Sequence, residues 1–574
     1  MGTTATRLIS PPPATALCDY HEVALKKQAD REEILANYPD WRVKDPGPDV
    51  TNVSNLCLSK LSPVEREIVF QDATSLTAAI RARKYSAVQT LTAFCKVAVA
   101  SQDLTNSLTE IFFDEAFERA EQLDHILATT GNVVGPLHGL PISIKDHVLV
   151  KGHDTSSGYA SWAYRTHADH DAAVVTILRN AGALIYVKTA NPQTLLSLEC
   201  NNNVFGRTLN PYNRKLSPGG SSGGEGALIA SHGSPLGVGT DIGGSIRVPA
   251  AWSGIYGFKP SVARLPHTGL LGSHDGMDNI VGCVGPMATS ARDLNLFCKV
   301  MLQSEAWFVE HQNLYIEWRT ELADHGRGLP EKLVFGILAD DGVVSPHPPI
   351  KKAVEETRRA LVAAGHEVID YIPMGHQESW DLIVKLYFLD GGAEYFETMA
   401  ESGEPPIPSF EWIVSHTNGR APYTMAEMFK LNAQRENFRA RAHAHWNESA
   451  KRTRTGRPVD AILTPIAPTL AVPHDTVRWW GYSSYWNLVD YPAAVFPVGR
   501  LNASEWAGST RDSLPPPRNE TEKFIHDQWD PKTYDNAPIS LQLVGRRHME
   551  EKTLALLNVV ENATKEYLQR SSAS

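Results

Sequence analysis

Cysteine is scarce in this chain: Cys18, Cys57, Cys95, Cys200, Cys283 and Cys298 are the only six among 574 residues, and no two stand in CxxC spacing. That argues against a disulfide framework and a structural zinc site, and the thiols are expected in the core. Charge of one sign never gathers into blocks. Fifty-four Lys plus Arg against 65 Asp plus Glu leave a dispersed net charge of −11, so no nucleic acid partner is expected. No stretch offers about 18 apolar residues without polar interruption, so no integral membrane segment is expected. The first residues lack the apolar run of a secretory signal, and a soluble, cytoplasmic protein is the expectation. Nucleotide signatures are missing too: GxxxxGK[ST] does not occur, and Ile242 stands where Gly237-Val238-Gly239 would need the third glycine of a dinucleotide fingerprint.

What remains is an ordinary globular mix, 42% hydrophobic and 21% charged, long enough for several domains or one large α/β layer. Residues 1 to about 60 are polar and punctuated by proline, and read as an irregular arm over the main body, with order beginning near Ser62. There Ser62-Pro63-Val64-Glu65 combines a capping serine, proline at the first helical position and glutamate three residues after the cap. Ser86 to Gln89 forms a second such box, and Val88, Leu91, Cys95 and Ala98 after it mark one buried helix face. From about residue 135 the pattern alternates. Leu140, Ile142 and Ile144 form one side of a strand and Ser143 and Lys145 the other. A helix from about Asp171 ends at Gly182 before the strand Leu184 to Val187. Later, strand 333–338, helix 349–364, the terminator Gly365 and strand 366–371 repeat the grammar. Such units indicate an α/β protein. Residues 500–535 read as a surface insertion before the strand Ile539 to Val544.

Ten of the 41 glycines lie between 219 and 245, eight of them within Ser217-Pro218-Gly219-Gly220-Ser221-Ser222-Gly223-Gly224-Glu225-Gly226 and Gly239-Thr240-Asp241-Ile242-Gly243-Gly244-Ser245-Ile246-Arg247. Glycine at this density is expected where backbone amides approach a bound group. A flexible linker is disfavoured because Ala227 to Ala230 and Val248 to Trp252 are core-like. Gly219 to Gly223 also matches the GxSxG elbow of serine hydrolases. An elbow needs an apolar strand leading into it, and residues 210–218 read as loop.

These blocks resemble the amidase signature hydrolases, which include acetamidases, fatty acid amide hydrolase and the A subunit of glutamyl-tRNA amidotransferase. Gly139 to Asp146, Gly257 to Pro260, Gly285 to Met287, Asn487 to Ala493 and Pro538 to Gly545 extend the match across roughly residues 75 to 560, and the polar N-terminus looks most like fungal acetamidase-type members. The resemblance implies a single large mixed β-sheet core flanked by helices. An N-terminal arm with helices would occupy residues 1–75 and the catalytic domain residues 76–565.

It also implies a mechanism without metal or cofactor: Ser245 as nucleophile, Ser221 on a cis peptide as the relaying serine and Lys145 as base. Ile242, Gly243, Gly244 and the Ser245 amide would form the oxyanion hole. Ser222 would hydrogen-bond to the relay, and Asp241 and Arg247 would orient the loop. Leu195, Leu196, Ser197 and Cys200 match the loop lining the acyl side in relatives, and Gly219 and Gly220 would border the substrate. His138 and His147 flank the lysine strand and read as structural histidines. Aromatic residues in 380–395 and 479–486 could wall a cavity or fill the core. The substrate implied is a small aliphatic or aryl amide, with long acyl amides or an amidotransferase role as alternatives, and the family is compatible with a homodimer.

Overall fold

The computed structural model describes residues 19–573. Its strands are β1 (Leu108–Ile111), β2 (Pro141–Lys145), β3 (Leu184–Thr189), β4 (Asn201–Asn202), β5 (Gly206–Arg207), β6 (Leu236–Asp241), β7 (Tyr256–Lys259), β8 (Cys283–Ala288), β9 (Val334–Ile337), β10 (Glu367–Asp370), β11 (Ala461–Thr464), β12 (Ala493–Arg500) and β13 (Pro538–Val544). Eleven join one sheet in the order β1-β3-β2-β6-β8-β7-β12-β13-β11-β9-β10, while β4 and β5 make a separate ribbon. β3, β2 and β6 run parallel, as do β11, β9 and β10. The pairs between these groups are antiparallel. The sheet is therefore mixed, as the resemblance implies.

Every residue of β2, β3 and β6 is buried, so both faces of these strands are covered even where they carry polar side chains. On the polar side of β2 the cover is the helix Gly223–Ala230, itself wholly buried. It presents Glu225 to the Ser143 hydroxyl (2.6 Å). This helix also rules out the linker reading of the glycine block. Both capping boxes form, opening the helices Pro63–Val69 and Ala87–Thr105. The second helix departs from the single-face expectation. It is buried on nearly every side, whereas Val88 of the expected stripe is only half-buried.

The N-terminal reading needs correction. Order begins well before Ser62, with the 17-residue helix Tyr20–Ala36 capped by Asp19. It carries no apolar stripe because it is anchored by charge: Lys27 is buried and reaches Glu110 and Asp154, both at 2.7 Å. Such a helix has no 3.6-residue hydrophobic period to find. Residues 1–18, including Cys18, lie outside the described residues; the other five cysteines are free and buried. The 500–535 insertion is better built than expected, since the helix Glu520–Asp527 and Trp529 bury Ile525 and an indole. Among the described residues no helix is long and apolar enough to cross a membrane.

Candidate active site

Lys145 ends β2, an interior strand held between β3 and β6, and is fully buried. Its Nζ lies 2.6 Å from Ser221 Oγ and 2.8 Å from Thr240 Oγ1. Removal from water disfavours the ammonium, and nearby Cys200, Asp241 and Glu225 only partly oppose this, so its pKa is pushed down to about 7. A large fraction of the amine is therefore uncharged near neutrality. Glu225, one of these groups, accepts from Ser143 Oγ (2.6 Å) and Thr189 Oγ1 (2.8 Å). Burial raises its pKa to about 7, which weakens the field that would hold a proton on the lysine.

The Gly220–Ser221 peptide is cis. The chain before it is loop, with one isolated bridge from Leu216 to Pro473, so no strand leads into Ser221 as an elbow would require. The glycines here serve packing between chain segments. A Cβ on Gly219, whose φ is +89°, would meet Pro249 Cα at 2.5 Å, and one on Gly220 would meet the Glu199 carbonyl oxygen at 2.4 Å. The expectation that their amides face a ligand is thus partly replaced by backbone crowding. The Gly219 amide itself donates to Ser217 Oγ at 3.1 Å. Ser222 also differs from expectation. Its hydroxyl donates to the Thr240 carbonyl (3.4 Å) and accepts from the Thr240 amide (3.3 Å) rather than bonding to Ser221 or Ser245.

The Ser222 amide donates to the Ser245 carbonyl (3.1 Å), which ties the two serine segments together. Ser245 is 3% exposed. It follows a tight loop organised by Asp241, whose carboxylate accepts from the amides of Gly244 (2.8 Å) and Ile246 (3.1 Å) and from Arg247 Nε and Nη2, both at 3.0 Å. Gly244 is therefore a correction: its amide is committed to Asp241 and is withdrawn from the oxyanion set. Among the described residues the amides of Ile242, Gly243 and Ser245 have no acceptor. Tyr387 Oη donates to the Ile242 carbonyl and Ser483 Oγ to the Gly243 carbonyl, both at 2.7 Å. Each trans peptide so anchored turns its following N–H the other way.

Burial would raise the Asp241 pKa, but the Arg247 guanidinium beside it holds the carboxyl well below the usual carboxylate range. Arg247 is completed by Asn487 Oδ1 (2.7 Å) and Gln542 Oε1 (3.3 Å). These two residues explain why blocks near 490 and 540 accompany the glycine loop in the sequence: they converge on one buried cation. Breaking such a pair from one side leaves a buried charge unmatched. Asp241→Asn is expected to lower unfolding free energy by about 3–5 kcal/mol in urea denaturation and to reduce turnover through loss of the loop geometry; unchanged denaturation would remove this role.

In the loop, Thr194 and Leu195 both take positive φ, and Leu196 follows the turn they make. Ser197 Oγ is occupied by the Glu199 carbonyl (2.9 Å) and Ser409 Oγ (2.7 Å), so it holds the loop to a neighbouring helix. His138 is structural, its Nδ1 accepting from the Val134 amide at 3.0 Å. His147 is not isolated: Nε2 lies 2.8 Å from Thr240 Oγ1. Among the described residues no imidazole hydrogen-bonds to Ser245, and no group of three or more His, Cys, Asp or Glu could hold a metal ion. Sequence reasoning missed Thr240, Tyr387 and Ser483, because a hydroxyl bonded across strands or to a distant carbonyl leaves no local pattern.

The family model for amidases matches residues 89–554 of this chain. The chain belongs to the amidase family. Acetamidases from Emericella nidulans and Aspergillus oryzae are each 39% identical to this amidase, over 552 and 545 residues. These alignments cover 94% of this chain and 97% and 98% of the relatives. The solved structure of a fatty acid amide hydrolase superposes with a TM-score of 0.87 at 31% identity, covering 96% of this chain and 97% of that one. This amidase is accordingly an amide hydrolase of the amidase signature fold.

Proposed function

We propose that this amidase hydrolyses small aliphatic or aryl amides to acid and ammonia or amine through an acyl-enzyme, with Ser245 as nucleophile, Ser221 as proton relay and Lys145 as base. The observation that carries the reading is the buried Lys145 Nζ, 2.6 Å from Ser221 Oγ, with its pKa at about 7. A serine hydroxyl needs a neighbour to take its proton, and a lysine can do so only when uncharged. Ser221 passes its proton to Lys145 as it takes one from Ser245, whose Oγ bonds to the amide carbon. The C–N bond breaks as Ser221 returns a proton to the leaving nitrogen. Water, deprotonated through the same path, then releases the acid. Charge on the carbonyl oxygen is met by the amides of Ile242, Gly243 and Ser245, where one donor is worth about 3–4 kcal/mol of barrier.

The acetamidase relatives, matched over nearly their whole length, support short acyl groups. The fatty acid amide hydrolase likeness supports long acyl amides as the second reading. A panel of primary amides from acetamide through phenylacetamide to palmitamide separates them. The proposal expects kcat/KM to be greatest for the short and aryl-acetic amides; a steady increase with chain length would reverse the assignment, and no hydrolysis by the isolated chain would favour an amidotransferase subunit.

A further inference from the structure

Lys145 has one lone pair when uncharged, and two hydroxyls stand within reach of it: Ser221 Oγ at 2.6 Å and Thr240 Oγ1 at 2.8 Å. Only one can donate to it. If the Thr240 proton occupied the lone pair, the base would be blocked and Ser221 could not deliver its proton. The Thr240 hydroxyl has a second neighbour, His147 Nε2, also at 2.8 Å.

We infer that His147 is a positioning residue that draws the Thr240 hydroxyl proton away from Lys145, so that the lysine lone pair stays open to Ser221. The inference rests on the proposed base role of Lys145. Three observations support it. His147 is buried, with its pKa far below its usual value because of burial and the adjacent lysines 145 and 188, so one ring nitrogen is always an acceptor. Nδ1 has no hydrogen-bond partner among the described residues, so the one hydrogen bond of the ring is that between Nε2 and Thr240 Oγ1. A proton on Nδ1 makes Nε2 the acceptor, and the chain then runs Lys145 N–H to Thr240 oxygen and Thr240 O–H to His147 Nε2. The groups facing Lys145 from the other elements are Cys200, Asp241 and Glu225, and none of them is hydrogen-bonded to Thr240 Oγ1.

The test is a double-mutant cycle at His147 and Thr240 with acetamide as substrate. His147→Leu frees the Thr240 hydroxyl to donate to Lys145. It is expected to lower kcat about tenfold with KM unchanged, and to move the acid limb of the rate profile to lower pH by about half a unit, because an extra donor stabilises the uncharged amine. His147→Gln, whose side-chain oxygen accepts as Nε2 does, should restore most of the rate. In a Thr240→Val background no hydroxyl remains to redirect, and His147→Leu should have no further effect. An equal loss in both backgrounds, or wild-type kinetics in His147→Leu, would overturn the inference. If His147→Leu does not fold, the comparison of His147→Gln with His147→Asn, made with and without Thr240→Val, applies the same criterion. Full activity in Lys145→Met would instead reject the underlying base assignment, so the two failures are distinguishable.

Discussion

Lys145→Met is expected to reduce kcat on the order of 10³-fold while making the folded protein more stable at neutral pH. The opposed effects have one cause. A lysine with a pKa of about 7 in the folded chain and 10.5 in the unfolded chain is held uncharged at a cost of about 4 kcal/mol at pH 7. Methionine has a similar shape and no such cost. It forfeits the hydrogen bonds to Ser221 and Thr240, about 1 kcal/mol each, which leaves a net gain of about 2 kcal/mol.

The pH dependence follows with a definite sign. Between about 7 and 10.5 the unfolded lysine binds a proton that the folded one has lost, so the wild-type protein gains stability as pH rises through this window. The variant lacks that slope. Its advantage in urea denaturation should be about 2 kcal/mol at pH 7 and gone by about pH 9. Equal stability at both pH values would mean the amine is not buried uncharged, and wild-type turnover would remove its role as base.

Ser245→Ala is expected to cost more, about 10⁵-fold or greater in kcat, because no other hydroxyl replaces the attacking oxygen. The loss should leave the fold intact. The loop is held by Asp241, Arg247, Asn487 and Ser483 through contacts that do not use the Ser245 hydroxyl. A fluorophosphonate should label the wild-type protein once, with release of fluoride, and should not label Ser245→Ala. Residual labelling of the variant at Ser221 would transfer the nucleophile assignment to that residue.

The parts of the fold legible in the sequence were those governed by local signals. Ser62 and Ser86 announce their helices because capping satisfies amides within four residues of the cap. The strand ending in Lys145 shows its alternation because side chains point to opposite faces of a sheet. The helix Tyr20–Ala36 was missed because Lys27 holds it through ion pairs to residues 110 and 154, which no local window contains.

The site divides in the same way. The glycine and serine blocks are contiguous and could be read directly, along with Lys145. The commitment of the Gly244 amide to Asp241 could not, because glycine permits a loop without stating where each N–H points. Tyr387, Ser483, Asn487 and Gln542 were beyond local reading for another reason. They reach the loop from 145 to 295 residues away in the chain, and only tertiary structure brings them to it.

The pH dependence of Ser245 phosphonylation tests the central claim most directly, because it reports the base without interference from substrate binding or product release. Labelling of the wild-type protein should rise about tenfold per pH unit below about 7, level off above it, and fall by orders of magnitude in Lys145→Met. A labelling rate that is flat from about pH 5 to about pH 9, or one that survives loss of the lysine, would contradict the account.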